Sequence, residues 1–178
     1  MDDFILARAL HVLAVIGWIG GVAFVTTVLF PAIRRGVAPE ERLAAFHRFE
    51  GRFAPQAAFW VLLAGASGLW MTWRADLWHR FVDPAYWWMH AMVLVWLAFA
   101  LMLFVIEPLF LHRRMANSPD PARDFARMER VHWLMLAASL LTTLGAVAGS
   151  HGWAFYPALR LGSPAGHAPG RPSRCTRR

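Results

Sequence analysis

Lysine is absent from this chain of 178 residues, cysteine occurs once, and charged side chains make up only 16% of it. The one thiol, Cys175, lies in the last four residues. That excludes an internal disulfide, a thiolate-held zinc or iron–sulfur site, and covalent haem attachment through C-x-x-C-H. Any metal or cofactor must be held without thiolates. So little charge cannot clothe a water-facing globule when 58% of residues are apolar and the mean hydropathy is +0.40. All 18 basic residues are arginine, against 11 acids, for a net charge of +7. The arginines fall in clusters between long uncharged runs instead of forming the stripe that follows a nucleic-acid backbone, so nucleic acid is not an expected partner. The composition points to an integral membrane protein whose main partner is the lipid bilayer.

Four stretches contain no Asp, Glu, Lys or Arg: residues 9–33, 53–73, 84–106 and 131–159. Each supplies the roughly 20 residues a helix needs to cross a hydrocarbon core about 30 Å thick. The expected fold is all-α, a four-helix membrane bundle in a single domain over 1–159, with spans near 4–33, 53–74, 84–112 and 129–156. Continuous apolar runs exclude a β-barrel, whose strands alternate apolar and polar positions. The first run is too long for a signal-peptide core and is read as a retained span. Pro39 with Glu40 and Glu41, and Asp120 with Pro121, are helix-start signals that place the beginnings of the second and fourth helices ahead of their apolar runs. Gly51 with Pro55, Pro31 and Pro108 are expected bend points.

Five arginines lie in 34–52 and five in 113–130, against only Arg74 and Arg80 in the loop 74–83, where Asp76 and Asp83 balance them. Short arginine-rich loops stay cytoplasmic. Both termini are therefore expected on the outer side of a bacterial-type inner membrane. The Arg- and Pro-rich tail 160–178 is expected to be disordered. The two halves also resemble one another: His11 precedes Pro31 and Arg34-Arg35 as His90 precedes Pro108 and Arg113-Arg114, which suggests repeated helix pairs related by an axis along the membrane normal.

Imidazoles at membrane depth are the sharpest functional signal, because ionisable groups there are costly and usually face the bundle interior. His11 and His90 sit about two turns inside the outer ends of spans one and three. Two imidazoles at one depth can supply both axial ligands of a b-type haem. Arg8, one turn outward from His11, could pair with propionates together with Arg74 and Arg80. Trp18 lies two turns inward on the His11 face, Gly17, Gly20 and Gly21 offer a groove free of side chains, and Trp87 lies one turn from His90. The ordinary reading of those glycines is close helix packing, of Trp18 core, and of Trp87 interfacial anchoring. His151 is a possible third member of an outer cluster, and His112 with His132 a possible inner pair for a second haem. Met71, Met89 and Met92 with imidazoles could instead suit copper. Glu129 and His132, three residues apart, could form a proton-handling pair or an ordinary contact. A quinone or another membrane redox protein is the expected electron partner; a non-catalytic subunit of a larger complex is a further alternative.

The stretch Leu10-His11-Val12-Leu13-Ala14-Val15-Ile16-Gly17-Trp18-Ile19-Gly20-Gly21 resembles the first helix of the copper-resistance-D-like (CopD) membrane proteins and the related HemJ-type protoporphyrinogen oxidases. The similarity continues through Gly65-Ala66-Ser67-Gly68-Leu69-Trp70 and into span three. It implies a four-helix core that binds haem b with His11 as ligand, and it brings copper handling and porphyrinogen oxidation into view. Where those families place lysine near the start of span three, this chain has His90, which favours a six-coordinate haem over the oxidase reaction.

Overall fold

A computed structural model of the chain describes residues 2–111 and 118–151, and every long element in it is helical. Helix α1 (Asp2–Phe24) continues through a π-helical stretch, Val25–Leu29, into α2 (Phe30–Gly36). A short 3-10 turn, Pro39–Glu41, leads into α3 (Arg42–Arg74), and two more, Leu77–Phe81 and Pro84–Tyr86, lead into α4 (Trp87–Leu101). A second π-helical stretch, Met102–Leu111, extends α4, and α5 runs over Pro121–Ser150. The result is the expected all-α four-helix bundle. Four helical stretches, Asp3–Gly36, Pro39–Arg74, Pro84–Glu107 and Pro121–Ser150, are long and apolar enough to cross a membrane.

The local start signals hold. The Asp120 carboxylate accepts from the Arg123 backbone N–H at 3.0 Å, and Pro121 opens α5, where its missing N–H costs nothing. The bend points divide. Pro108 lies inside the second π-helical stretch, and Pro31 follows the first by two residues, in the opening turn of α2, so both stretches fall beside a residue that cannot donate to an i−4 carbonyl. At Gly51 and Pro55 the helix is not interrupted, and α3 runs through with Pro55 inside it. The carbonyl that the Pro55 ring crowds belongs to Gly51, which is exposed with open space around it, so it can tilt away without ending the helix.

Glycine notches hold the bundle together. A Cβ on Gly17 would stand 2.7 Å from the Trp60 ring, one on Gly21 2.6 Å from Phe53, one on Gly65 2.5 Å from Trp96, and one on Gly145 2.6 Å from Trp87. Each ring therefore lies where only a hydrogen fits, which lets helix axes approach closely in a setting that gives helices no hydrophobic reason to associate. Trp96 also donates its indole N–H to the Val61 carbonyl at 2.8 Å, pinning α4 to α3. Gly65→Ala is expected to lower stability by about 1–3 kcal/mol, the cost of overpacking. The check is detergent thermal unfolding beside Gly20→Ala, whose Cβ would meet nothing within 4 Å and which should be silent.

Three buried hydroxyls are satisfied within their own helices: Thr26 donates to Val22 at 2.7 Å, Ser67 to Leu63 at 2.5 Å and Ser139 to Met135 at 2.7 Å. The outward faces are apolar, with Leu134 71% and Leu94 66% exposed. A bundle that shows such side chains to its surroundings suits hydrocarbon, not water.

Candidate functional site

The four helices meet at two functional ends. At one end α1 starts, α3 ends and α4 starts; Asp3 and Arg74 form an ion pair there at 2.9 Å. His11 is partly buried, and its Nδ1–H is shared between the Ala64 carbonyl at 2.9 Å and the Ser67 hydroxyl at 3.1 Å, both on α3. The ring lies beside the Gly68 notch. A carbonyl has no proton to give, so Nδ1 carries it and Nε2 keeps its lone pair. Histidines that ligate metals are prepared in the same way.

His90 is placed differently. It is exposed, one residue beyond the buried Trp88 and Met89, and its Nε2–H donates to the Phe81 carbonyl at 2.8 Å. The structure thus holds one imidazole on α3 and the other on the loop before α4; it does not bring them together on a shared partner. The pair expected to bracket one iron does not fit that role in this arrangement, because a helix turns about 100° per residue and the core face of α4 is taken by its two preceding residues.

The expected macrocycle groove is also occupied by the protein itself. Trp60 fills the notch at Gly17 and Phe53 the notch at Gly21, while Trp87 packs into Gly145 on α5. Close packing is what these glycines do. Arg8 is exposed, Arg74 is engaged by Asp3, and Arg80 lies over the Tyr86 ring at 4.9 Å. His151 is exposed and bonds the Val147 carbonyl within its own helix at 2.8 Å. His112 lies outside the described residues. Among the described residues no three His, Cys, Asp or Glu side chains converge as a metal cluster.

The other end holds what the sequence did not disclose. A cavity of about 440 Å³ opens between α1, α3, α5 and the π-helical extension of α4, within the size range of small-molecule sites. Its walls are apolar and aromatic, and Glu50, Glu107, Asp124, Arg127 and His132 bring polar chemistry to it. The π-helical stretch contributes Glu107 together with Met102 and Ile106. His132 is fixed on three sides: its Nδ1–H donates to the Met128 carbonyl at 2.9 Å, and Phe30 and Phe46 stand edge-on at 5.0 and 5.8 Å. Its Nε2 is an acceptor with no partner among the described residues. Glu50 pairs with His47 at 2.8 Å. Trp18, on the cavity wall, meets Phe99 edge-on at 4.8 Å and has a buried indole N–H with no partner among the described residues.

Two sequence expectations are corrected here. Glu129 does not pair with His132, because Arg34 of α2 takes its carboxylate. Trp18 is core, as its ordinary reading had it, but it also lines a cavity. The cavity was missed because its residues come from four helices and have no spacing in common.

No family model matches the chain, and neither a curated protein nor a solved structure matches it.

Proposed function

We propose that the protein is a multi-pass membrane electron carrier whose lipophilic partner, a molecule of the quinol class, is taken up in the cavity at the arginine-rich end. The observation that carries this reading is the combination of apolar walls with an accepting imidazole and an unpartnered indole donor. A quinol offers two hydroxyls that donate, and the corresponding quinone two carbonyls that accept. His132 Nε2 and the Glu107 carboxylate are the acceptors for the first form, and the Trp18 N–H is the donor for the second. An aromatic head on an isoprenoid chain suits walls built from Val22, Val25, Phe53 and Leu103.

Charge decides against a dicarboxylate here. Three carboxylates against one guanidinium line the cavity, which disfavours the propionates of a haem and favours a neutral hydroxylated head. Haem b, the cofactor anticipated from the sequence, is kept only as a proposal at His11, whose Nε2 could ligate iron, although Trp60 and Phe53 fill the notches at Gly17 and Gly21 where the macrocycle was expected and His90 does not complete the site. When bound it would supply one-electron chemistry. The resemblance to CopD-like and HemJ-type proteins supports this part of the reading alone; the placement of the arginine-rich end in the cytoplasm rests on the arginine-rich loops 34–52 and 113–130.

Copper is the second reading, favoured by one observation: Met102, Met128 and Met135 line the same cavity as His132, and thioethers with an imidazole suit Cu(I). An ion needs far less room than this cavity offers, so the organic ligand leads. Reduced-minus-oxidised spectra of the purified protein test the haem: b-type bands in wild type, unchanged in His90→Ala and lost in His11→Ala, are the expected result, and no bands in wild type would remove haem from the proposal. A short-chain quinone should raise the thermal midpoint in detergent, as a ligand that binds the folded form alone must. Stabilisation by Cu(I) with none by quinone would hand the cavity to copper.

A further inference from the structure

A second concavity lies on the outside of the bundle, over the first turns of α5. Arg123, Arg127 and Arg130 follow one another at i, i+4 and i+7 along one face, so they are about 10 Å apart from first to last and all exposed. The same groove continues onto Val131 and Leu134, where the apolar run of α5 begins. Three guanidiniums thus sit at the level where the helix passes from polar to hydrocarbon surroundings.

The acids in the groove are committed elsewhere. Asp120 accepts from the Arg123 backbone N–H at 3.0 Å and Asp124 from the Ser118 hydroxyl at 2.7 Å. Arg130 directs its Nε–H to the Ala126 carbonyl at 3.3 Å, leaving its terminal nitrogens available, and no described carboxylate forms an ion pair with Arg123 or Arg127. Unshared guanidiniums beside the exposed Leu134 and the half-buried Val131 match an anion with an apolar body. The exposed Trp133 beside it is a side chain that settles at headgroup depth.

We propose that this groove is a binding site for an anionic phospholipid, with the phosphodiester held by Arg123, Arg127 and Arg130 and the acyl chains lying on Val131 and Leu134. Guanidinium forks match phosphate oxygens two at a time, and clustered arginines beside a membrane helix recognise anionic headgroups. This site is independent of the cavity ligand, although Arg127 borders both.

Native mass spectrometry of the full chain, titrated with dioleoyl-phosphatidylglycerol and separately with dioleoyl-phosphatidylcholine, tests it. Wild type should prefer phosphatidylglycerol by about tenfold or more, and the preference should vanish in Arg123→Ala/Arg130→Ala, which leaves Arg127 and the cavity intact. The exposed Arg48→Ala should keep it, and unchanged thermal unfolding of the double variant excludes misfolding as the cause. Equal affinity for the two lipids, or a preference that survives the double substitution, would overturn the assignment. So would displacement of bound lipid by excess inorganic phosphate, which would mark the groove as a site for the free anion.

Discussion

Arg34→Ala should cost about 2–4 kcal/mol of stability. Glu129 is the reason. Only 11% of its side chain is accessible, on a helix whose next turns are apolar, and the Arg34 guanidinium is its ion-pair partner. Removing one member of such a pair leaves a carboxylate in a setting that cannot solvate it, and the loss exceeds the net worth of the pair. Arg34 is itself 53% exposed, which keeps the figure at the lower part of the range for buried pairs. The same arginine's backbone carbonyl accepts from Arg42 at 2.9 Å, so the turn that sends α2 into α3 is also anchored at this point. Denaturant unfolding of wild type, Arg34→Ala, Glu129→Gln and the double variant forms a closed cycle. Glu129→Gln should restore most of what Arg34→Ala loses, because a neutral amide needs no counter-charge. A double variant as unstable as Arg34→Ala would show that the loss does not arise from the uncompensated Glu129 carboxylate.

What could be read in the sequence was local. The four apolar runs gave the helices, and Asp120 with Pro121 gave the start of α5, because capping depends on residues three apart on one segment. The role of Gly17, Gly21 and Gly145 was legible as close packing, but which ring fills each notch was not, since Trp60, Phe53 and Trp87 arrive from other helices. The same limit explains the histidines. Depth along a helix can be counted from residues, but direction around the helix depends on which face packs, and Trp88 and Met89 take the core face of α4. His90 is left on the outside, bonded to Phe81. Glu129 and His132 are helical neighbours, yet a partner 95 residues away along the chain claims the glutamate. A pattern within one helix cannot reveal that competition.

His132→Phe should weaken quinone-dependent stabilisation and Ala57→Trp should abolish it, by different routes and with the fold left in place. Phenylalanine keeps a flat ring between Phe30 and Phe46, and the Met128 carbonyl remains inside a regular helix, so the packing survives and only the accepting nitrogen is lost. A single unmatched hydrogen bond in a water-poor cavity costs about 1–3 kcal/mol, so affinity should fall by roughly five- to 150-fold. Ala57 is buried on the α3 wall of the cavity, and an indole there takes up space that the ligand needs. Affinity should then drop below detection while the His132 side chain remains. Glu107→Gln separates the two forms of the ligand: it removes an acceptor needed by the quinol but leaves Trp18 to serve the quinone, so the reduced form should weaken more than the oxidised one. The measurements are thermal midpoints against ligand concentration for both redox forms. Equal weakening of both would place Glu107 outside the binding site, and binding that survives the Ala57→Trp plug would mean the ligand lies elsewhere on the bundle.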